Sequence, residues 1–214
     1  GRVTDAGPEY RSMKTITALA ANKLGKFLAK DFRRIFGSAH DDLAERLGSL
    51  ARSTIECLGR SDAPYHNFEH TLLVTMVGRD ILQGLTLSQR IEPADYSHLI
   101  VACLLHDIGY MRGVLSGDTE TEFVVDRSGE KVKLPRGASD AALTPYHVDR
   151  SKLFAFERLG NSPTIDAARV AEAIEFTRFP PRPDRNSSKN SMEPRLVQAA
   201  DLIGQLGDPM YSRK

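Results

Sequence analysis

Residues 99–109, Leu-Ile-Val-Ala-Cys-Leu-Leu-His-Asp-Ile-Gly, decide the fold of this chain. Seven apolar residues precede His106, Pro93 lies upstream and Gly109 follows, so we predict a helix over about 93–108. A helix that is apolar on every side lies in the centre of a domain. His106 and Asp107, at its end, are costly to bury unless they pair with each other or bind a metal ion. The stretch therefore predicts a helical core that ends in a polar pair, with both explanations of that pair open.

Helical periodicity also dominates the sequence on both sides of this stretch. Between residues 15 and 36, apolar side chains recur at the i, i+3, i+4 and i+7 spacing of one helix face. Further helices are predicted from about residue 38 and over about 67–83, 144–159, 163–176 and 192–206. Pro163 suits the first turn of its helix, with Ser162 as the cap. Because β-strand alternation is scarce, the predicted class is all-α.

Residues 113–137 interrupt the helices with glycine, proline and charged residues. Two short apolar-containing runs flank Ser128-Gly129 there, which predicts a small surface hairpin inserted into the domain. We expect one helical domain over 38–214 and an amphipathic N-terminal helix over 1–37 that packs on it. Seven Lys or Arg lie between residues 11 and 34, a pattern that also suits an anionic membrane or a partner. The apolar stripe of that helix favours packing on its own domain.

The composition narrows the class of protein. The 214 residues suffice for one domain, and 29 basic residues nearly balance 28 acidic ones, so no overall charge points to a nucleic acid polymer as a partner. The sequence is not expected to carry a signal peptide, and it contains no apolar run long enough to span a membrane. Cys57 and Cys103 lie far apart among apolar residues, as expected of reduced core thiols. A cytoplasmic location is therefore predicted.

Histidine and aspartate supply the candidate chemistry. His66 and His70 are four residues apart at a predicted helix start, which places both on one helix face. Asp201 lies in an apolar helical segment, where an acid is either an ion-pair partner or a metal ligand. The pair His40-Asp41 shows that His-Asp alone is weak evidence, because it lies in a polar stretch typical of a helix N-terminus.

The order of these residues resembles that of a known family. His-Asn-x-x-His occurs at 66–70, His-Asp at 106–107 and Ala-Asp at 200–201. This set resembles the HD superfamily of metal-dependent phosphohydrolases. Tyr-His-Asn-Phe-Glu-His at 65–70 is also similar to the signature of its cyclic-nucleotide phosphodiesterase branch. The resemblance covers about residues 65–205 and implies a single HD-type helical domain.

The resemblance also implies a role for each matched residue. The first of two divalent metal ions would be held by His70, His106, Asp107 and Asp201. Asp107 would bridge to the second ion, and Zn, Mn, Mg, Fe or Ni would suit such ligands. The implied reaction is attack of a metal-bridging hydroxide on phosphorus, with His66 as the general acid for the leaving oxygen.

Three further residues are candidate substrate contacts. His147 could touch the phosphate or hold the second metal ion, although a surface histidine at a helix start has the same spacing. Arg150 could bind a phosphate through two hydrogen bonds. Gln205 follows Asp201, but not at the position of the glutamine with which the phosphodiesterase branch recognises its purine.

The expected substrate is a small phosphoester such as a 3′,5′-cyclic nucleotide. Three alternatives remain open: a nucleotide phosphomonoesterase, a di-iron HD oxygenase and a non-catalytic metal-binding sensor domain. The oligomeric state also remains open.

Overall fold

The computed structural model describes residues 15–63, 67–182 and 192–208. Its α-helices are α1 (Ile16–Phe36), α2 (Asp41–Leu58), α3 (Phe68–Leu85), α4 (Pro93–Leu105), α5 (His147–Leu159), α6 (Ala167–Glu175) and α7 (Glu193–Gly207). The strands β1 (Glu122–Val124) and β2 (Lys131–Lys133) form one short antiparallel hairpin. The fold is all-α, as predicted.

The apolar helix α4 forms the centre of the molecule. Pro93 occupies its first turn, where a missing N–H costs nothing, and all ten residues from Tyr96 to Leu105 are buried. Helices α2, α3, α6 and α7 all pack against it. This placement follows from the sequence, because a helix without a polar face has no side that water can cover. No helix among the described residues is both long and apolar enough to cross a membrane.

Helix α1 packs along α2 through two glycines. A Cβ atom added at Gly25 would lie 2.5 Å from the carbonyl oxygen of Gly48, so the backbones approach too closely for a side chain there. At the other side of α1, the buried Asp31 accepts hydrogen bonds from Arg79 Nη2 at 2.6 Å and from Tyr96 Oη at 3.0 Å. Burial alone would raise the pKa of Asp31, but these hydrogen bonds and that of Arg34 lower it to about 2. An ionised carboxylate therefore joins α1 to α3 and α4.

The start of α6 differs from its prediction. The helix begins at Ala167 rather than at Pro163, and its cap is Asp166 rather than Ser162. The reason is a tertiary contact with the buried His98 on α4. His98 Nε2 accepts the backbone N–H of Asp166 at 2.8 Å, while His98 Nδ1 lies 2.6 Å from a carbonyl oxygen of α4, to which it donates. The N–H of Asp166 is thereby satisfied at the point where the helix begins.

Helix α5 also starts later than predicted, at His147, because a 3₁₀ turn over Asp140–Leu143 precedes it. The hairpin lies inside the predicted insertion at 113–137, with Phe123 paired to Val132. Phe123 is buried, so the insertion contributes to the packed interior.

Candidate metal centre

Four side chains from three separate stretches of the sequence converge beside the end of α4. Nε2 of His70 lies 3.2 Å from Oδ1 of Asp201 and 3.3 Å from Nε2 of His106. Oδ2 of Asp107 lies 3.1 Å from Nε2 of His106 and 3.5 Å from Nε2 of His70. All four residues are buried. His70, His106 and Asp201 have the proximity required to hold one metal ion, and Asp107 Oδ2 adjoins them.

Local structure orients each of these side chains. His70 is the third residue of α3, and Asn67 caps that helix by accepting the N–H groups of Glu69 and His70. His106 and Asp107 follow directly after α4, where the chain leaves the helix. Asp201 comes from α7, which packs against α3. The start of α3, the end of α4 and one face of α7 therefore supply the cluster.

The chemistry of the cluster fits a cation. His106 Nδ1 lies 2.8 Å from the carbonyl oxygen of Cys103, to which it donates, so in the neutral ring Nε2 presents a lone pair to the cluster. Burial alone would lower the pKa of His106, but Asp107 and Asp201 outweigh it and raise the pKa to about 9. A positive charge is thus favoured among these atoms. Imidazole nitrogen and carboxylate oxygen are also the ligands that Zn, Mn, Fe and Ni accept.

His147 extends the cluster on the side of Asp107. It is the first residue of α5, its Nδ1 lies 2.6 Å from the carbonyl oxygen of Thr144, and its ring stacks on Tyr110 at 4.3 Å. Nε2 of His147 lies 4.0 Å from Oδ1 of Asp107. The ring orientation is therefore held from two sides, and Nε2 faces the Asp107 carboxylate.

A cavity of about 420 Å³ opens beside the two carboxylates. Its lining comprises Asp107, Tyr110, Thr144, His147, Phe176, Thr177, Arg178, Phe179, Gln198, Asp201, Leu202 and Gln205. Gln205 Nε2 donates to Asp201 Oδ1 at 3.2 Å, so the amide orients a cluster carboxylate while it lines the cavity. The volume is in the range of small-molecule sites.

The predicted phosphate contact of Arg150 is wrong. Arg150 is fully buried and does not line the cavity. All five of its N–H donors are used: Nε and Nη2 donate to the carbonyl oxygens of Gly109 and Met111, Nη1 donates to that of Val124, and both Nη atoms donate to Asp118. No donor is left for a substrate, and the side chain instead joins the insertion to the turn after α4.

Ser151 is a residue near the centre that the sequence reasoning missed. Its Oγ donates to the carbonyl oxygen of His106 at 2.7 Å and accepts the N–H of Gly109 at 2.9 Å. A Cβ atom at Gly109 would lie 2.0 Å from the carbonyl oxygen of His147, so only glycine allows this contact. The glycine two residues after Asp107 was the sign of this close backbone contact that the sequence offered. Ser151 gave none, because its partners lie more than 40 residues earlier.

Two other histidines, His66 and His40, were weighed in the sequence as candidate site residues. His66, the predicted general acid, lies outside the described residues. His40 is exposed at the start of α2, and Asp41 forms an exposed ion pair with Arg33, in line with the reading of that His-Asp pair as a helix N-terminus.

Comparison with known proteins gives one assignment. No curated protein and no solved structure matches the chain. The model of the Npun_R2479-like family matches residues 14–214, which is nearly the whole sequence. The chain therefore belongs to the Npun_R2479-like family.

Proposed function

We propose that this protein is a metal-dependent hydrolase of small phosphoesters. The observation that carries the proposal is the buried cluster of His70, His106, Asp107 and Asp201, whose two carboxylates line a cavity. Buried acids and histidines are costly unless they are paired or bind a cation. A cluster of this composition beside a cavity of substrate size is the arrangement expected of a hydrolytic metal site.

The cluster residues would act as metal ligands, and the neighbouring residues would orient them. A divalent ion bound there would supply Lewis acidity and an acidified water. The carbonyl oxygen of Cys103 keeps His106 in the tautomer that a ligand needs, and Gln205 fixes one oxygen of Asp201. The general-acid role of His66, one residue before the cap Asn67, stays a prediction from the resemblance to the HD superfamily, as do the second ion and the cytoplasmic location.

His147 favours one alternative. An additional imidazole directed at Asp107 also suits the ligand set of a di-iron oxygenase, in which a second iron needs a nitrogen ligand. The two functions make opposite demands on the metal, since a hydrolase needs no redox change.

The test is metal analysis of the purified chain together with turnover assays. We expect hydrolysis of at least one ester among aryl phosphodiesters, cyclic nucleotides and nucleoside monophosphates, with divalent metal bound. His106→Ala should lower metal binding and turnover by more than about 100-fold, since second-sphere changes alone cost roughly 10–100-fold. The matched control is His40→Ala, which alters the exposed His-Asp pair and should leave both unchanged. Metal-loaded protein that turns over none of these esters would exclude the proposal, and iron with oxygen consumption would favour the oxygenase.

A further inference from the structure

Five charged side chains form a network at the edge of the cavity. This rim cluster consists of Asp149, Lys152, Glu175, Arg178 and Arg182. Asp149 pairs with Arg178 at 2.8 Å and with Arg182 at 2.9 Å. Glu175 pairs with Lys152 at 2.6 Å and with Arg178 at 2.5 Å. The network ties residues 178–182 to α5 and α6.

The charges of the rim cluster do not balance. Three cations share two carboxylates, which leaves one positive charge without a counter-charge inside the network. Burial alone would raise the pKa of Glu175, but hydrogen bonds from Arg178 and Lys152 lower it to about 2, so this carboxylate is ionised at neutral pH. An anion from outside would complete the network.

Arg178 connects the rim cluster to the cavity. It is the one lysine or arginine among the described residues that line the cavity. Its side chain is 13% exposed and is held by Glu175 and Asp149, whereas Arg182 is 48% exposed. The cavity thus has the metal cluster at one place and a rigidly held guanidinium at another.

Neither arginine uses all of its donors on the part of the chain that the structure describes. Arg178 donates through Nε and Nη2, and Arg182 donates through Nη2. Within the described residues, no hydrogen bond uses Nη1 of either side chain. A guanidinium that is already oriented by carboxylates loses little entropy when it binds a phosphate.

We propose that Arg178 and Arg182 bind a second phosphate group of the substrate, in addition to the ester at the metal cluster. The substrate would then be a phosphoester with at least two separate anionic groups, such as a nucleoside bisphosphate. A 3′,5′-cyclic nucleotide has one anionic group and would leave the rim cluster unused. The substrate class rests on the proposed function, whereas the anion site itself can be tested without any turnover.

The first experiment titrates the full chain with inorganic phosphate in the presence of a chelator. We expect Arg178→Gln to bind phosphate roughly tenfold or more weakly than the unchanged protein. The variant should fold, because two cations then face two carboxylates. Arg90→Gln is the matched control, since Arg90 pairs with Glu92, is 86% exposed and does not belong to the cavity lining. Equal phosphate binding by Arg178→Gln and the unchanged protein would overturn the proposal, as would no binding by the unchanged protein.

The second experiment compares a nucleoside monophosphate with the bisphosphate that differs by one phosphate group. We expect the metal-loaded protein to prefer the bisphosphate in kcat/KM by roughly 10- to 100-fold, with most of the difference in KM. Arg178→Gln should abolish the preference, and Arg178→Lys should retain part of it. A preference that is unchanged in Arg178→Gln would contradict the proposal. Phosphate binding that depends on Arg178 without hydrolysis of any ester would instead exclude the hydrolase and retain the anion site.

Discussion

Two buried polar clusters lie on either side of residues 106–111, and they differ in how their hydrogen-bonding groups are satisfied. On one side, Arg150, Asp118 and Ser151 form what we term the latch, in which every guanidinium donor has an acceptor. On the other side, the metal cluster brings Nε2 of His70 within 3.3 Å of Nε2 of His106, beside carboxylate oxygens of Asp107 and Asp201.

The difference separates a structural site from a binding site. A buried charge that is fully paired and hydrogen-bonded has nothing left to offer a ligand. Buried carboxylates and imidazoles that share one small space can hold a cation, which offsets the cost of burying the carboxylates. The latch therefore helps to hold the His106–Asp107 turn in place, whereas the metal cluster is the proposed binding site. Substitutions in the latch and in the metal cluster should therefore have different consequences.

The largest loss of stability is expected when the positive charge of Arg150 is removed from the latch. Arg150→Met leaves Asp118 buried without its partner, so we expect a loss of about 3–5 kcal/mol in the free energy of unfolding. Urea unfolding measures it, with Arg158→Met at the exposed end of α5 as the control. The double variant with Asp118→Leu should recover much of the loss. A loss below about 1 kcal/mol would mean that the latch is not a structural ion pair.

The next largest change in stability is expected from metal binding. Removing one ligand should lower the stability of the metal-bound protein but not that of the protein treated with a chelator. Divalent metal at 100 times its Kd should stabilise the protein by about 2.7 kcal/mol. Asp201→Asn should lose this gain. With a chelator, however, the variant should be at least as stable as the unchanged protein, because the new amide can donate to His70.

Thermal unfolding with Zn or a chelator checks both signs. Glu56→Gln, an exposed change on α2, is the control. A chelated Asp201→Asn protein that is clearly less stable than the chelated unchanged protein would show that the acceptors of the cluster are already satisfied.

A smaller loss of stability is expected from a change at Ser151, the latch residue that bonds to the turn carrying His106. Ser151→Ala leaves the carbonyl oxygen of His106 and the N–H of Gly109 without a partner, at a cost of about 1–3 kcal/mol. Because the same turn carries His106, metal affinity should also fall by roughly tenfold. Calorimetric titration with Mn or Zn measures the affinity, and Ser53→Ala, which lies exposed on α2, is the control. An unchanged metal affinity at reduced stability would separate the latch from the metal cluster.

Much of the helical fold was predictable because periodicity and breakers act locally. The apolar stretch before His106 places the central helix and its start correctly, although α4 ends at Leu105, three residues before the predicted end. The start of α6 was not predictable, since the cap depends on His98, which lies 68 residues before Asp166. A local reading sees Ser162-Pro163 and cannot see a histidine from another helix.

The residues of the metal cluster were easier to predict from the sequence than the residues around them. His106, Asp107 and Asp201 each stand beside apolar residues, which marks them as buried polar groups. Arg150 lies in a polar stretch and was predicted to contact a phosphate. Its actual partners could not be read locally, because they lie 26 to 41 residues earlier, in the insertion and in the turn after α4. Arg178 was likewise missed, since its position in the cavity depends on the packing of α5 and α6.

The distance between ligands along the chain also bears on when the metal centre can form. His70 and Asp201 are 131 residues apart, and their contact requires α7 to dock against α3. Contacts of such separation close long loops and tend to form after local helices. The complete ligand set is therefore a product of folding, not a nucleus for it. An ion held by all four side chains would meet them only once the last described helix is in place.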